Sequence, residues 1–228
     1  MSNIFMIKLI LWVTALTYSS ISFSQSIKFS AFLNNSPLIF NTNIPFKDSF
    51  IHVEVFKMYI SNIAFTYHDG STYNEKDSYH LIDLANSNND KLFITDSKER
   101  IKQLSFDIGI DSATNHQGAK GGDLDPLKGM YWTWQSGYIH FKIEGSSPLC
   151  RSSKNKFSFH IGGFQYPFNA IQHVVLQENS ANDILVAIKL DDFFRSVRLD
   201  ERTNVMSPGR KAMYIAEKFK HVFEIKND

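Results

Sequence analysis

Gln103-Leu104-Ser105-Phe106-Asp107-Ile108-Gly109-Ile110 alternates without a break, with Leu104, Phe106, Ile108 and Ile110 on one parity and Gln103, Ser105, Asp107 and Gly109 on the other. Successive side chains of a strand point to opposite faces, so this stretch reads as a half-buried strand. Working outward, Ile139, Phe141 and Ile143 repeat the pattern against His140 and Lys142, and Phe157, Phe159 and Ile161 repeat it against Ser158 and His160. Ile51, Val53 and Val55 begin a long strand whose apolar parity then switches to Phe56, Met58 and Ile60. Such a switch predicts a bulge or a strand crossing between sheets. Further strands are expected over 62–67, 79–84, 173–177 and 184–190, with His68-Asp69-Gly70 as a hairpin turn. Ser207-Pro208 starts a helix carrying Ala212, Ile215, Ala216 and Phe219, and 191–197 gives another short helical turn. The expected fold is all-β, a single antiparallel β-sandwich with long loops and one or two short helices.

The N-terminus reads as a processing segment. Lys8 precedes an apolar run, Leu9 to Leu16, and small residues at Ser22 and Ser24 fit signal-peptidase cleavage after Ser24. The run is short of the roughly 20 residues that span a bilayer, so cleavage is expected rather than an anchor. No cysteine follows it, which argues against a lipid anchor. The expected domains are therefore a signal peptide, 1–24, and one sandwich domain, 25–228, in the periplasm or outside the cell. The chain has 24 Lys and Arg against 23 Asp and Glu, and removing Lys8 with the leader leaves an even balance. That balance argues against nucleic acid or an anionic membrane as the main partner. Cys150 is the single cysteine, so no intramolecular disulfide is available and the fold must rest on its core. It reads as a small buried hydrophobe or, alternatively, a soft metal ligand.

Common catalytic motifs are missing: no HExxH, G-x-S-x-G, P-loop, CxxC pair or Rossmann fingerprint occurs. The protein is expected not to be an enzyme. Asp123 and Asp125, with Glu144, are the carboxylates a hydrolase would need, but no nucleophile and base pair accompanies them. Asp111, Asn115, Asp123 and Asp125 could offer oxygen ligands, though not in the EF-hand order. The densest feature is Gly129-Met130-Tyr131-Trp132-Thr133-Trp134-Gln135-Ser136-Gly137-Tyr138. Trp and Tyr each bring a polar atom that needs a partner when buried, so this density marks a built site or an unusual core.

Histidine supplies the candidate ligands, because imidazole suits copper, zinc, iron and nickel. His160 alternates with apolar residues and precedes Gly162-Gly163, which allow close approach of a ligand or another backbone. It reads as a solvent-facing strand residue or a ligand. His116, in the long polar loop 111–128, is an exposed residue or a ligand. His140 and His52 each alternate with apolar residues, so a solvent face is their default and metal binding their reserve role. Trp132, Trp134 and Tyr138 form an aromatic cluster that either anchors the sandwich or contacts a ligand.

The ordered set of motifs resembles the MbnP-like copper-binding proteins, which are periplasmic or secreted. It comprises Phe106-Asp107-Ile108-Gly109-Ile110-Asp111-Ser112, Asn115-His116, Leu124-Asp125-Pro126, the WxW block, Lys142-Ile143-Glu144-Gly145, Phe159-His160-Ile161-Gly162-Gly163 and Val205-Met206-Ser207-Pro208-Gly209. The likeness runs from about Ile27 to Ile225. It implies copper as the cofactor, taken up, stored or scavenged, with His160 and His116 as ligands. It also implies that a tryptophan, Trp132 here, can be oxidised to kynurenine by a diheme peroxidase-type partner, creating an aryl amine that faces the metal. The alternative is a metal-free module that binds a glycan or protein through Trp132, Trp134 and Tyr138.

Overall fold

The alternating stretches pair as their parity demands. The computed structural model describes residues 23–86, 88, 90–97, 101–135, 137–177 and 184–226. Most of the expected leader lies outside them. Phe23 and Ser24, read above as its last residues, are described as the start of the first strand, β1 (Phe23–Leu33), where Phe23 pairs with Ser97.

β1 is an inner strand of the smaller, five-stranded sheet. It pairs in parallel with β13 (Ile184–Lys189) and in antiparallel with β2 (Ser36–Pro37) and β7 (Lys91–Ser97), while β13 pairs with β15 (Phe223–Lys226). The larger sheet has ten strands. Its main path is β12 (Gln172–Gln177), β8 (Ile101–Ile108), β4 (Ser49–Tyr67), β10 (Gly137–Ser146), β11 (Lys156–Gly162) and β14 (Asn204–Val205). Along β4 lie β3 (Asn43–Phe46), β5 (Thr72–Asn74) and β6 (Tyr79–Asp83), and β9 (Tyr131–Trp132) lies along β10. The fold is thus the expected all-β sandwich, with one difference from an antiparallel-only reading. β1 with β13 and β11 with β14 are parallel. Each joins strands far apart in the chain, which no tight hairpin could connect.

β4 shows why its parity switches. Val53 pairs with Gly145 and Val55 with Glu144, so Glu54 is an extra residue at a bulge and the inward side passes from Val53 to Phe56. Gly145 is required there, because a Cβ would stand 2.0 Å from the His52 carbonyl oxygen. A second register shift falls between Ser61 and Ala64, where Asn62 takes φ 50° and the inward side passes from Ile60 to Ile63 and Phe65.

The core is built largely from phenylalanine. Phe29 of β1 meets Phe106 of β8 edge-on at 5.6 Å, and Phe106 meets Phe223 of β15 at 5.6 Å, so the two sheets face each other directly. Two helices fill the rest: α2 (Leu190–Val197) brings Phe193 to Phe159, and α3 (Arg210–Phe219) stacks Phe219 on Phe141 at 4.0 Å. Both fall where the helical spacing put them, although α3 begins at Arg210 rather than at Pro208. Full burial of each such ring is worth about 2–3 kcal/mol, which lets the fold stand without a disulfide. Cys150 is a buried member of this core, as its hydrophobe reading expects.

A second apolar cluster holds Tyr59, Leu81, Ile110, Leu124, Met130, Trp132, Tyr138 and Ile139. It is built largely from the chain between β8 and β10, the long loop together with the aromatic block. This segment contains α1 (Ser112–His116) and two short 3-10 turns.

Candidate functional site

The loop between β8 and β10 is held by its own polar side chains. Asp111 caps α1, accepting from the Thr114 N–H at 2.8 Å, and its other oxygen accepts from the Tyr79 hydroxyl at 2.5 Å. Asn115 is buried; its amide donates to the Ile110 and Asp111 carbonyls, and its oxygen accepts the Tyr138 N–H at 2.9 Å. Asp123 accepts the Leu81 N–H at 3.0 Å and the Lys128 ammonium at 2.6 Å, while Asp125 accepts the Leu127 N–H at 2.9 Å. Asp111, Asp123 and Asp125 are therefore engaged in turns and in docking the loop on β6. Tyr138, buried, accepts the Lys120 N–H at 2.9 Å and donates to the Leu124 carbonyl at 3.1 Å.

This scaffold fixes one corner of the molecule. Trp132 is buried and lays its six-membered ring on Gly162, where a Cβ would stand 2.8 Å from Trp132 Cζ3. The glycine is what lets the indole lie against β11. Trp134 is 64 % exposed, and its ring centroid is 5.8 Å from that of Trp132. His160 lies two residues before Gly162 on β11, so strand alternation puts it on the face that the Trp132 ring covers. It is buried, against its solvent-facing reading, and its Nε2 lies 2.5 Å from Glu144 Oε1 on β10. Glu144 also faces Lys142 Nζ at 3.7 Å. The hydrogen bond from His160, with Lys142 adding to it, holds the Glu144 carboxyl below the usual glutamate range despite partial burial.

His116 ends α1 and is exposed. Its Nδ1 is 2.7 Å from the Ser112 carbonyl, and its ring stands edge-on to Phe164 at 5.1 Å. Phe164 in turn closes against Gly137, where a Cβ would be 3.1 Å from its Cε1. A pocket of about 190 Å³ opens here, lined by Trp132, Gln135, Phe164, Tyr166, Phe168 and Pro208 among others. His160 thus lies on the strand face that Trp132 covers at Gly162, and His116 lies beside Phe164, which lines the same pocket as Trp132. Of the aromatic cluster, Trp132 and Tyr138 are buried and only Trp134 is open to solvent, so the three do not form an exposed platform.

The two reserve histidines have different settings. His140 is not on a solvent face: it is fully buried, at a register shift between β10 and β11. Gly109 presses on it so closely that a Cβ there would be 2.5 Å from its Cγ. Neither ring nitrogen has a hydrogen bond. Burial pushes its pKa down to about 4; the Ala170 backbone favours the charged form but makes no well-formed hydrogen bond with it. His52 pairs with Ser146 at the far end of β10, and its Nδ1 meets Asn43 Oδ1 at 2.9 Å. Nine strand residues, about 30 Å, separate that end from Gly137. Of the remaining histidines, His80, His173 and His221 pair with Glu75, Asp107 and Glu217.

Sequence reading missed Glu144 as a partner of His160, because cross-strand register is not written in either strand alone. It also missed Phe164, whose only signal is its place beside Gly162-Gly163, and it took Asn115 as an oxygen ligand and a motif residue but not as the anchor of Tyr138. Among the described residues, no group of three or more His, Cys, Asp or Glu side chains could hold a metal ion.

Comparison with known proteins adds two findings. The structure is similar to that of MbnP from Methylosinus trichosporium, with a TM-score of 0.62 and 14 % identity over 81 % of this chain and 83 % of that one. At that identity the likeness speaks for the fold. A search of curated proteins finds no match. The MbnP family model matches residues 22–207, a span that takes in the larger sheet, the smaller sheet apart from β15, the covering loop, the aromatic block and the His160 strand. With most of its length so matched, the chain belongs to the MbnP family.

Proposed function

We propose that this protein is an exported copper-binding protein that holds Cu(I) through His160 and His116 beside Trp132, in copper uptake, storage or scavenging rather than in catalysis. The observation that carries the reading is that Trp132 lies over Gly162 on the strand of His160 while His116 meets Phe164 of the pocket that Trp132 also lines, each imidazole having one ring nitrogen engaged by the protein. The donor chemistry fits. Imidazoles suit copper, and a low-coordinate nitrogen set suits Cu(I), whereas structural zinc usually takes four ligands and calcium six or more oxygens. Copper supplies no reaction here; the chain's residues bind and orient it. If Trp132 is opened to kynurenine by a diheme peroxidase-type partner, its aryl amine becomes a further nitrogen donor, which an intact indole, a donor only, is not. No helix among the described residues is long and apolar enough to cross a membrane.

The test is a Cu(I) competition titration of the mature protein with His160→Ala and His116→Ala, joined to intact-mass analysis of protein from its own host. Each substitution is expected to weaken Cu(I) binding at least about tenfold, the low end of the loss seen when even a partner of a metal ligand is removed. Unchanged affinity in both variants sinks the site. A second reading, a metal-free binding module, is favoured by the aromatic pocket and by exposed Trp134 and Tyr166. It predicts a ligand lost with Trp134→Ala and indifferent to chelators.

A further inference from the structure

The two histidines differ in which nitrogen the protein occupies. His160 offers Nε2 to Glu144 Oε1 at 2.5 Å, whereas His116 offers Nδ1 to the Ser112 carbonyl at 2.7 Å. A carbonyl oxygen only accepts, so His116 Nδ1 must carry the proton and donate. Glu144 Oε1 faces Lys142 Nζ, which can only donate, at 3.7 Å as well as the imidazole, so it stands as the acceptor between them. His160 Nε2 must then carry the proton. In a neutral ring the proton on one nitrogen leaves the lone pair on the other.

We propose that Glu144 and the Ser112 carbonyl are positioning groups that lock the two imidazoles into opposite tautomers, leaving Nδ1 of His160 and Nε2 of His116 as the lone pairs that each ring would offer a cation. The inference rests on the copper reading for the identity of the cation, but the tautomers themselves belong to the metal-free protein. Locking the ring has two effects. It fixes its orientation before the ion arrives, and a carboxylate behind a ligating imidazole raises the basicity of the free nitrogen. Glu144 is well placed for both. It sits on β10 while His160 sits on β11, two strands in direct register through Lys142↔His160 and Glu144↔Ser158, so the pair is held by the sheet and not by a loop. His160 is itself buried, with a side chain only 9 % exposed, so few competing water contacts can reorient it. His116 is held differently, by a bond back to its own helical turn and by the edge contact with Phe164. Its preset depends on α1 staying formed, which the Asp111 cap secures.

The experiment is long-range 1H–15N correlation of the imidazoles in metal-free mature protein near pH 7.5, followed by Cu(I) titration of the wild type, Glu144→Gln and Glu144→Ala. The expected spectrum shows His160 with a protonated Nε2 and a bare Nδ1, and His116 with the reverse. Averaged shifts at both nitrogens, the opposite assignment, or a ring protonated on both overturns the proposal. In Glu144→Ala the His160 signals should lose their fixed pattern and Cu(I) affinity should fall about 10- to 100-fold, the range found for removal of such partners. Glu144→Gln keeps an acceptor and should fall less, which separates positioning from lost folding. Wild-type copper binding with unchanged affinity in Glu144→Ala refutes the positioning role and leaves the copper reading standing. A wild type that ignores copper, yet shows the locked spectrum, supports the tautomers and defeats the copper reading alone.

Discussion

His140 makes folding sensitive to mild acid. Its ring is fully buried with no hydrogen bond to either nitrogen, and burial lowers its pKa from 6.5 to about 4. In the unfolded chain the ring titrates at its ordinary value. Because the folded value is the lower one, the contribution is fully present above about pH 6.5 and is lost as pH falls towards 4, where only the unfolded state has gained the proton. From those two values the loss is about 2 kcal/mol by pH 5 and about 3 kcal/mol near pH 4. The assay is urea unfolding across pH 4.5–7.5 for the wild type and His140→Leu, a buried apolar side chain of similar size. The window from pH 6.5 to 5 isolates the effect, since the carboxyls held low by their partners, such as Asp111 and Glu144, respond only at more acid pH. Wild type should lose about 1.6 kcal/mol more than the variant over that window. Parallel stability curves for the two proteins would refute the reasoning, and with it the view that the ring stays sealed behind Gly109.

Two further outcomes are expected. Asp123→Ala removes the acceptor of the buried-strand Leu81 N–H and of Lys128, so stability should fall by about 1–3 kcal/mol, with faster amide exchange at Leu81 and in the loop; unchanged exchange would mean that the loop is docked by other contacts. Cys150 is buried and its thiol pKa is pushed up to about 11 by desolvation, so it should resist a thiol reagent at pH 8 in the native protein and react at once in denaturant; prompt native labelling would contradict its place in the core.

Much of this fold is written in parity. The alternation of Leu104 to Ile110, Ile139 to Ile143 and Phe157 to Ile161 gave three strands of the larger sheet, and the parity switch read between Val55 and Phe56 marked a bulge that the Gly145 pairing explains. What parity could not say is what covers the second face. His140 and His160 both alternate with core residues, and both would be wet if the sheet stood bare. Instead His140 is closed in at Gly109 and His160 is buried beside Glu144 on the face where Trp132 lies over Gly162. The covering depends on contacts 42 residues apart, such as Asp123 with Leu81, and on Asn115 reaching Tyr138 across 23 residues. No local pattern encodes such distances. His52 shows the opposite failure: its pattern equals that of His140, yet it ends up at the other end of β10.

The same geometry couples the candidate site to the covering loop. His160 stands on a strand of the larger sheet, but His116 stands on α1, and α1 is tied to the sheet chiefly through Asn115 to Tyr138 and Asp111 to Tyr79. A cation gripped by both imidazoles would therefore bridge sheet and loop. By linkage its binding free energy would be added to loop docking, and loosening the loop would be subtracted from affinity. Asp123→Ala touches neither histidine, yet it should weaken Cu(I) binding if the bridge exists, and the copper-loaded variant should recover the slow loop exchange that the metal-free variant loses. A variant with a loosened loop and wild-type copper affinity would separate His116 from the site and leave His160, joined by Trp132 only if that ring is oxidised, to hold the ion without it.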